Sequence, residues 1–150
     1  MIVEYDTTTK EIKAAHWGRE YVASEWEDYS VSGRAIANCP DEDSIGGKYV
    51  VIGGDGVTGT FADLSKFSIS VTKTVISAND TDYCDFSNIP QGTTIYIDNV
   101  SSGTADSDGT CRFKAIHAGA YGIKFWKLGY ESQIFTIEAE DGYLYDNITG

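Results

Sequence analysis

The chain has 150 residues, 41% of them hydrophobic and 13% aromatic, which is enough apolar material for a buried core and too much for a disordered chain. Its formal net charge is −12, with only 11 Lys and Arg scattered along it. Phosphate backbones and anionic membrane surfaces need concentrated cations, so this balance argues against nucleic-acid and membrane partners.

Residues 1–6 carry no basic n-region, apolar h-region or cleavage site, and no apolar run reaches the length of a membrane span. Synthesis in a cytosol without a signal peptide is the expectation. Residues 1–6 and 11–15 read as short strands joined by the polar loop Asp6-Thr7-Thr8-Thr9-Lys10. Residues 20–29 follow, with Tyr21, Val22, Trp26 and Tyr29 only roughly at helical spacing beside Glu25, Glu27 and Asp28. Val and aromatic residues are mediocre helix formers, so this segment reads as loop or short helix. Together with Trp17 it is either the cover of a small core or an interface anchor.

The run Cys39-Pro40-Asp41-Glu42-Asp43 lacks the staggered ligands, bidentate acid and turn glycine of a calcium loop and reads as a solvated turn. Tyr49-Val50-Val51-Ile52 is an apolar strand within 48–52. Gly54, Gly56 and Gly59 behind it match G-x-G-x-x-G. A dinucleotide site would need a helix there to meet the pyrophosphate, and none follows, so the stretch reads as a glycine-rich hairpin or linker. A boundary is expected here, giving a small β-rich N-terminal attachment domain over 1–60.

From 61 to 140 six strand candidates recur at near-regular spacing: 67–76, 83–88, 93–98, 110–115, 120–126 and 133–139. Asn79-Asp80, Pro90-Gln91-Gly92, Asp108-Gly109 and Ala118-Gly119 punctuate them. The pattern predicts an antiparallel β-sandwich with Phe113, Ile123, Phe125, Phe135 and Ile137 buried. Residues 141–150 form an aromatic tail whose Tyr143, Leu144, Tyr145 and Ile148 are apolar enough to dock on a neighbour.

Cys39, Cys84 and Cys111 are odd in number and without CxxC spacing, so buried reduced thiols are expected, with no metal and no cofactor. His16 and His117 stand far apart in sequence, and no nucleophile, base and orienting group form a recognisable set, so the reading is not an enzyme.

The runs Ser77-Ala78-Asn79-Asp80-Thr81-Asp82, Ile89-Pro90-Gln91-Gly92-Thr93-Thr94, Asp108-Gly109-Thr110, Gly119-Ala120-Tyr121 and Gly129-Tyr130 carry a family likeness. Over about half the chain they resemble the immunoglobulin-like domains found in small virion proteins of tailed bacteriophages. Tyr121 sits where a tyrosine corner would be. Ile95, Tyr96 and Ile97 occupy the strand that would carry the buried Trp of antibody domains, so the resemblance is to the disulfide-free branch. The opening Tyr5-Asp6-Thr7-Thr8-Thr9-Lys10-Glu11-Ile12, with Cys39-Pro40-Asp41, is similar to the start of small proteins encoded near phage tail and fibre genes, in which Gly stands where this chain has Lys10.

The resemblance implies a non-enzymatic virion component, present in multiple copies, that binds other virion proteins at the tail as a fibre or hub accessory. A capsid decoration protein and a tail-assembly chaperone are alternatives of the same kind. Exposed aromatics such as Trp17, Trp26, Trp126 and Tyr130 give a further one, a carbohydrate-binding or adhesion module on a host-surface glycan. Interface cores are enriched in Trp and Tyr, and two segments hold such residues without a period that would bury them. The candidate protein interface is therefore Trp17, Tyr21, Trp26 and Tyr29 with Tyr143, Leu144, Tyr145 and Ile148.

Overall fold

The computed structural model describes residues 1–18 and 33–141. Those residues hold thirteen strands and no helix, and the chain divides into two compact units, Met1–Ser65 and Lys66–Gly150. The expected boundary at 60/61 is corrected by five residues, because it would cut a strand that completes the first unit.

Unit 1 contains β1 (Ile2–Asp6), β2 (Ile12–His16), β3 (Arg34–Asn38), β4 (Lys48–Ile52) and β5 (Gly59–Asp63). β1 lies between β2 and β3, antiparallel to both, while β4 and β5 form a hairpin. Bridges at Glu11–Tyr49 and Asn38–Thr58 join the hairpin to both sides of the three-stranded sheet. Period-2 alternation turns Met1, Val3 and Tyr5 toward Ala37, Cys39 and Val50, which together form the core.

The β1–β2 turn is built as its composition dictates. The Asp6 carboxylate accepts the backbone N–H of Thr8 and of Thr9, at 2.9 and 2.8 Å. Lys10 closes the turn at φ 61°, a left-handed conformation that glycine adopts without a Cβ penalty. The departure from Gly noted above falls on the residue where Gly would fit best.

Gly59 explains the glycine run. A Cβ there would stand 2.9 Å from Cys39 Sγ and 3.1 Å from Val50 Cγ1, so the third glycine of the motif lets β5 lie against the core. Gly53 to Thr58 is the hairpin loop, held by Asp55, whose carboxylate accepts from the backbone N–H of Val57 and Thr58.

Unit 2 is a sandwich. Its strands are β6 (Ser70–Val71), β7 (Val75–Ser77), β8 (Cys84–Ser87), β9 (Thr94–Ile97), β10 (Val100–Thr104), β11 (Cys111–Phe113), β12 (Gly119–Trp126) and β13 (Gln133–Glu140). One sheet runs β10-β9-β12-β13-β7 and the other β11-β8-β6. The single long strand expected over 67–76 is two short ones in different sheets, and β7 pairs parallel to β13, so the sandwich is not purely antiparallel. A first strand that changes sheets covers an edge of each, which limits the open edges of this sandwich.

Inward-facing residues from both sheets form the core, with Cys84, Phe86, Phe113, Ile123, Phe125 and Ile137 buried. Phe135 departs from expectation in being only half-buried, though its ring meets Phe86 and Phe125 edge-on. Tyr121 makes the expected corner, its hydroxyl donating to the His117 carbonyl at 2.7 Å. That bond ties the end of the loop before β12 to the strand it feeds.

Four aspartates, Asp55 exposed and the other three half-buried, hold their charged forms through such local bonds. Asp6 is acidified by backbone N–H donors, Asp55 first by the Thr58 hydroxyl, Asp82 first by Lys73 and Asp85 first by Arg112, so all four lie below the ordinary carboxylate value of 3.8. As pH falls through that value the unfolded chain takes up protons before the folded one, and stability drops. With every carboxylate protonated, 11 Lys and Arg and 2 His also leave a large positive charge that repels itself. Thermal melts are expected to show a lower Tm at pH about 3 than at pH about 6. Asp85→Asn should flatten that dependence, and a Tm unmoved by acid would refute the assignment.

Candidate functional site

Of the eight interface candidates, Trp17 is described. Its ring is 53% exposed, just past the end of β2, with the indole N–H donating to the Glu42 carbonyl at 2.7 Å. Tyr21, Trp26, Tyr29, Tyr143, Leu144, Tyr145 and Ile148 lie outside the described residues.

The residues that converge are elsewhere, on unit 2. Alternation sends Ile95, Ile97, Ile123 and Phe125 inward, and the same parity sends Tyr96, Lys124 and Trp126 outward. Register then lines up Ser101, Tyr96, Lys124 and Ile134 in one row across β10, β9, β12 and β13. The Lys124 ammonium stands 5.3 Å from the Tyr96 ring centroid, Trp126 is opposite Thr94 in the next row, and Ile134 is 65% exposed. Glu138 and Glu140 are the carboxylates of β13 on this face, toward its β7 edge, where they pair with exposed Val75 and with Ser77. In a chain of net charge −12 this patch is aromatic, apolar and weakly cationic. Its legibility required only the pairing of strands, which the sequence does not print.

A second feature is a pocket of about 380 Å³ at the loop end of unit 2. Phe67 and Tyr130 line it as a stacked pair, centroids 4.8 Å apart and planes 24° from parallel. Ser68, Asn88, Ser107 and Asp108 add polar groups, and Lys66 a cation. The segments are tied together: Asn88 Nδ2 donates to the Ser68 carbonyl at 3.0 Å, and the Ile89 N–H donates to the Gly109 carbonyl at 3.0 Å. Lys127 reaches over the Tyr130 ring and donates to the Gln91 carbonyl at 2.8 Å. Tyr130 was among the candidate sugar-stacking aromatics; the structure pairs it with Phe67 rather than with Trp126.

The thiols are free, and burial pushes each of them up, Cys111 to about 11. Cys84 and Cys111 sit on the directly paired β8 and β11, facing the core, so their thiolates are disfavoured and they act as small apolar side chains. Arg112 grips Asp85 with two N–H bonds of 2.8 and 3.0 Å and lies 3.6 Å over the Tyr83 ring. That cluster braces β8 against β11. Among the described residues no three His, Cys, Asp or Glu side chains converge as a metal site, and no helix is long and apolar enough to cross a membrane.

Family models, curated proteins and solved structures offer no match to this chain.

Proposed function

We propose that the chain is a non-enzymatic structural component of a bacteriophage particle that binds other virion proteins, at the tail as a fibre or hub accessory. The observation that carries the binding part is the outer face of the five-stranded sheet, where Tyr96, Lys124, Trp126 and Ile134 form a patch whose rows hold no carboxylate, Glu138 and Glu140 standing further along β13 toward β7. Trp and Tyr are the residue types that dominate interface energetics, and charged groups are depleted at interface centres. A strongly acidic chain would meet a neighbour through such a patch without desolvating unpaired carboxylates, leaving its acidic surface at the rim. The likeness of 77–82, 89–94 and 108–110 to phage immunoglobulin-like domains supports a virion as the setting.

The test is mass spectrometry of density-purified particles. The chain should be present at a fixed ratio to a tail protein, and Ile134→Arg, at an exposed position that leaves the core intact, should lower its incorporation by an order of magnitude. Absence of the wild-type chain from particles would overturn the virion reading. Wild-type incorporation of the Ile134→Arg chain would overturn the choice of face.

A further inference from the structure

We propose that the pocket at the loop end of unit 2 binds a neutral polyhydroxylated ligand, a sugar ring, independently of whether the chain belongs to a virion. The site lies at the end of the sandwich where the β8–β9 and β12–β13 loops meet, the end that immunoglobulin-like domains have free for recognition. Its volume of about 380 Å³ falls within the roughly 300–1,000 Å³ range of small-molecule sites.

The lining selects the chemistry. Phe67 and Tyr130, with Pro90, supply apolar surface against which the C–H groups of a sugar can pack. Among the described residues the Asp108 carboxylate accepts no hydrogen bond, although the Asp108 N–H is engaged with Asp106 Oδ1 at 3.0 Å. A carboxylate with open lone pairs is a strong acceptor for paired hydroxyls. Ser68 and Ser107 bring hydroxyls that both donate and accept.

Other ligand classes fit less well. A purely apolar ligand would strip water from Asp108, Asn88 and the two serines without replacing their bonds. An anion would gain Lys66 and face Asp108, two charges that offset one another. Hydroxyls satisfy both sides of this lining at once. The floor is also preformed, because Gly109 is locked against Ile89 and Asn88 against Ser68, so little ordering remains to oppose binding.

Two-dimensional amide NMR of the full chain, titrated separately with glucose, galactose and N-acetylglucosamine into the millimolar range, tests the proposal without any particle. At least one sugar should give saturable shifts confined to the amides of Ser68, Asn88, Ser107 to Gly109 and Tyr130. Asp108→Asn, which keeps side-chain size and removes the charge, should raise that Kd on the order of fivefold, and Ser107→Ala serves in its place where Asp108→Asn perturbs the spectrum globally. No saturable shift with any of the three sugars, shifts that map outside the pocket, or an unchanged Kd in the pocket variant would each overturn the proposal.

Discussion

Truncation of Phe125 to Ala is expected to destabilise unit 2 by about 3–5 kcal/mol, because the ring is fully buried and the sandwich cannot close over the space it leaves. Phe125 lies 5.2 Å from Phe86 and 5.9 Å from Phe135 between ring centroids, and Phe86 lies 5.3 Å from Phe135. The three rings form a closed triangle across the two sheets, so removing one leaves the edge-on contacts of the other two unsupported. Against a total stability of roughly 5–15 kcal/mol for a small domain, this is a large fraction. Calorimetry should show a Tm lower by about 15–30 °C for the transition of unit 2, and faster amide exchange through β12 reports the same loss for that unit alone. A Tm within about 5 °C of wild type would refute the place given to Phe125 at the centre of the core.

The core was legible because period 2 is a strong signal where one face is wholly apolar. Cys111-Arg112-Phe113, Tyr121-Gly122-Ile123-Lys124-Phe125 and Ile137-Glu138-Ala139 alternate, and their inward members are buried in the core or, for Cys111 and Tyr121, packed half-buried against it. β10 was missed because Val100-Ser101-Ser102-Gly103-Thr104 is exposed along its length and has no face to bury. A local signal was present all the same: Asp98 and Asn99 both take left-handed φ, 47° and 67°, the two-residue hairpin turn that joins Ile97 directly to its partner Val100. β5 was hidden for the opposite reason, since Gly59 reads as a linker residue until its contacts with Cys39 and Val50 are known.

Sites were harder than strands. A period assigns each residue a face, but only register brings Tyr96, Lys124 and Ile134 into one row, and register depends on hydrogen bonds between segments far apart in sequence. The pocket draws on four separate segments around Phe67, Asn88, Asp108 and Tyr130, none of them remarkable in composition. Asp108-Gly109 was recognised as turn chemistry; that the turn also walls a cavity follows from the loop it packs against.

Gly109→Ala tests that wall. Gly109 has φ 66°, and a Cβ on it would stand 2.8 Å from the Ile89 carbonyl oxygen and 3.5 Å from the Ile89 nitrogen. Left-handed backbone costs an L-residue roughly 1–2 kcal/mol, and forcing a methyl into occupied space adds about 1–3 kcal/mol. The obstacle is backbone, and the Ile89 N–H already donates to the Gly109 carbonyl, so neither partner can retreat without losing that bond. The expected cost is about 2–5 kcal/mol, read as a lower urea midpoint at unchanged m-value. Gly92→Ala isolates the conformational part, since Gly92 has φ 84° and nothing within 4 Å of its Cβ position, and it should cost only about 1–2 kcal/mol. Equal midpoints for the two variants would mean that Ile89 yields freely and the pocket floor is soft. A clear excess for Gly109→Ala, accompanied by amide shifts at Asn88 and Ser107, would establish that the turn and the β8–β9 loop move only together.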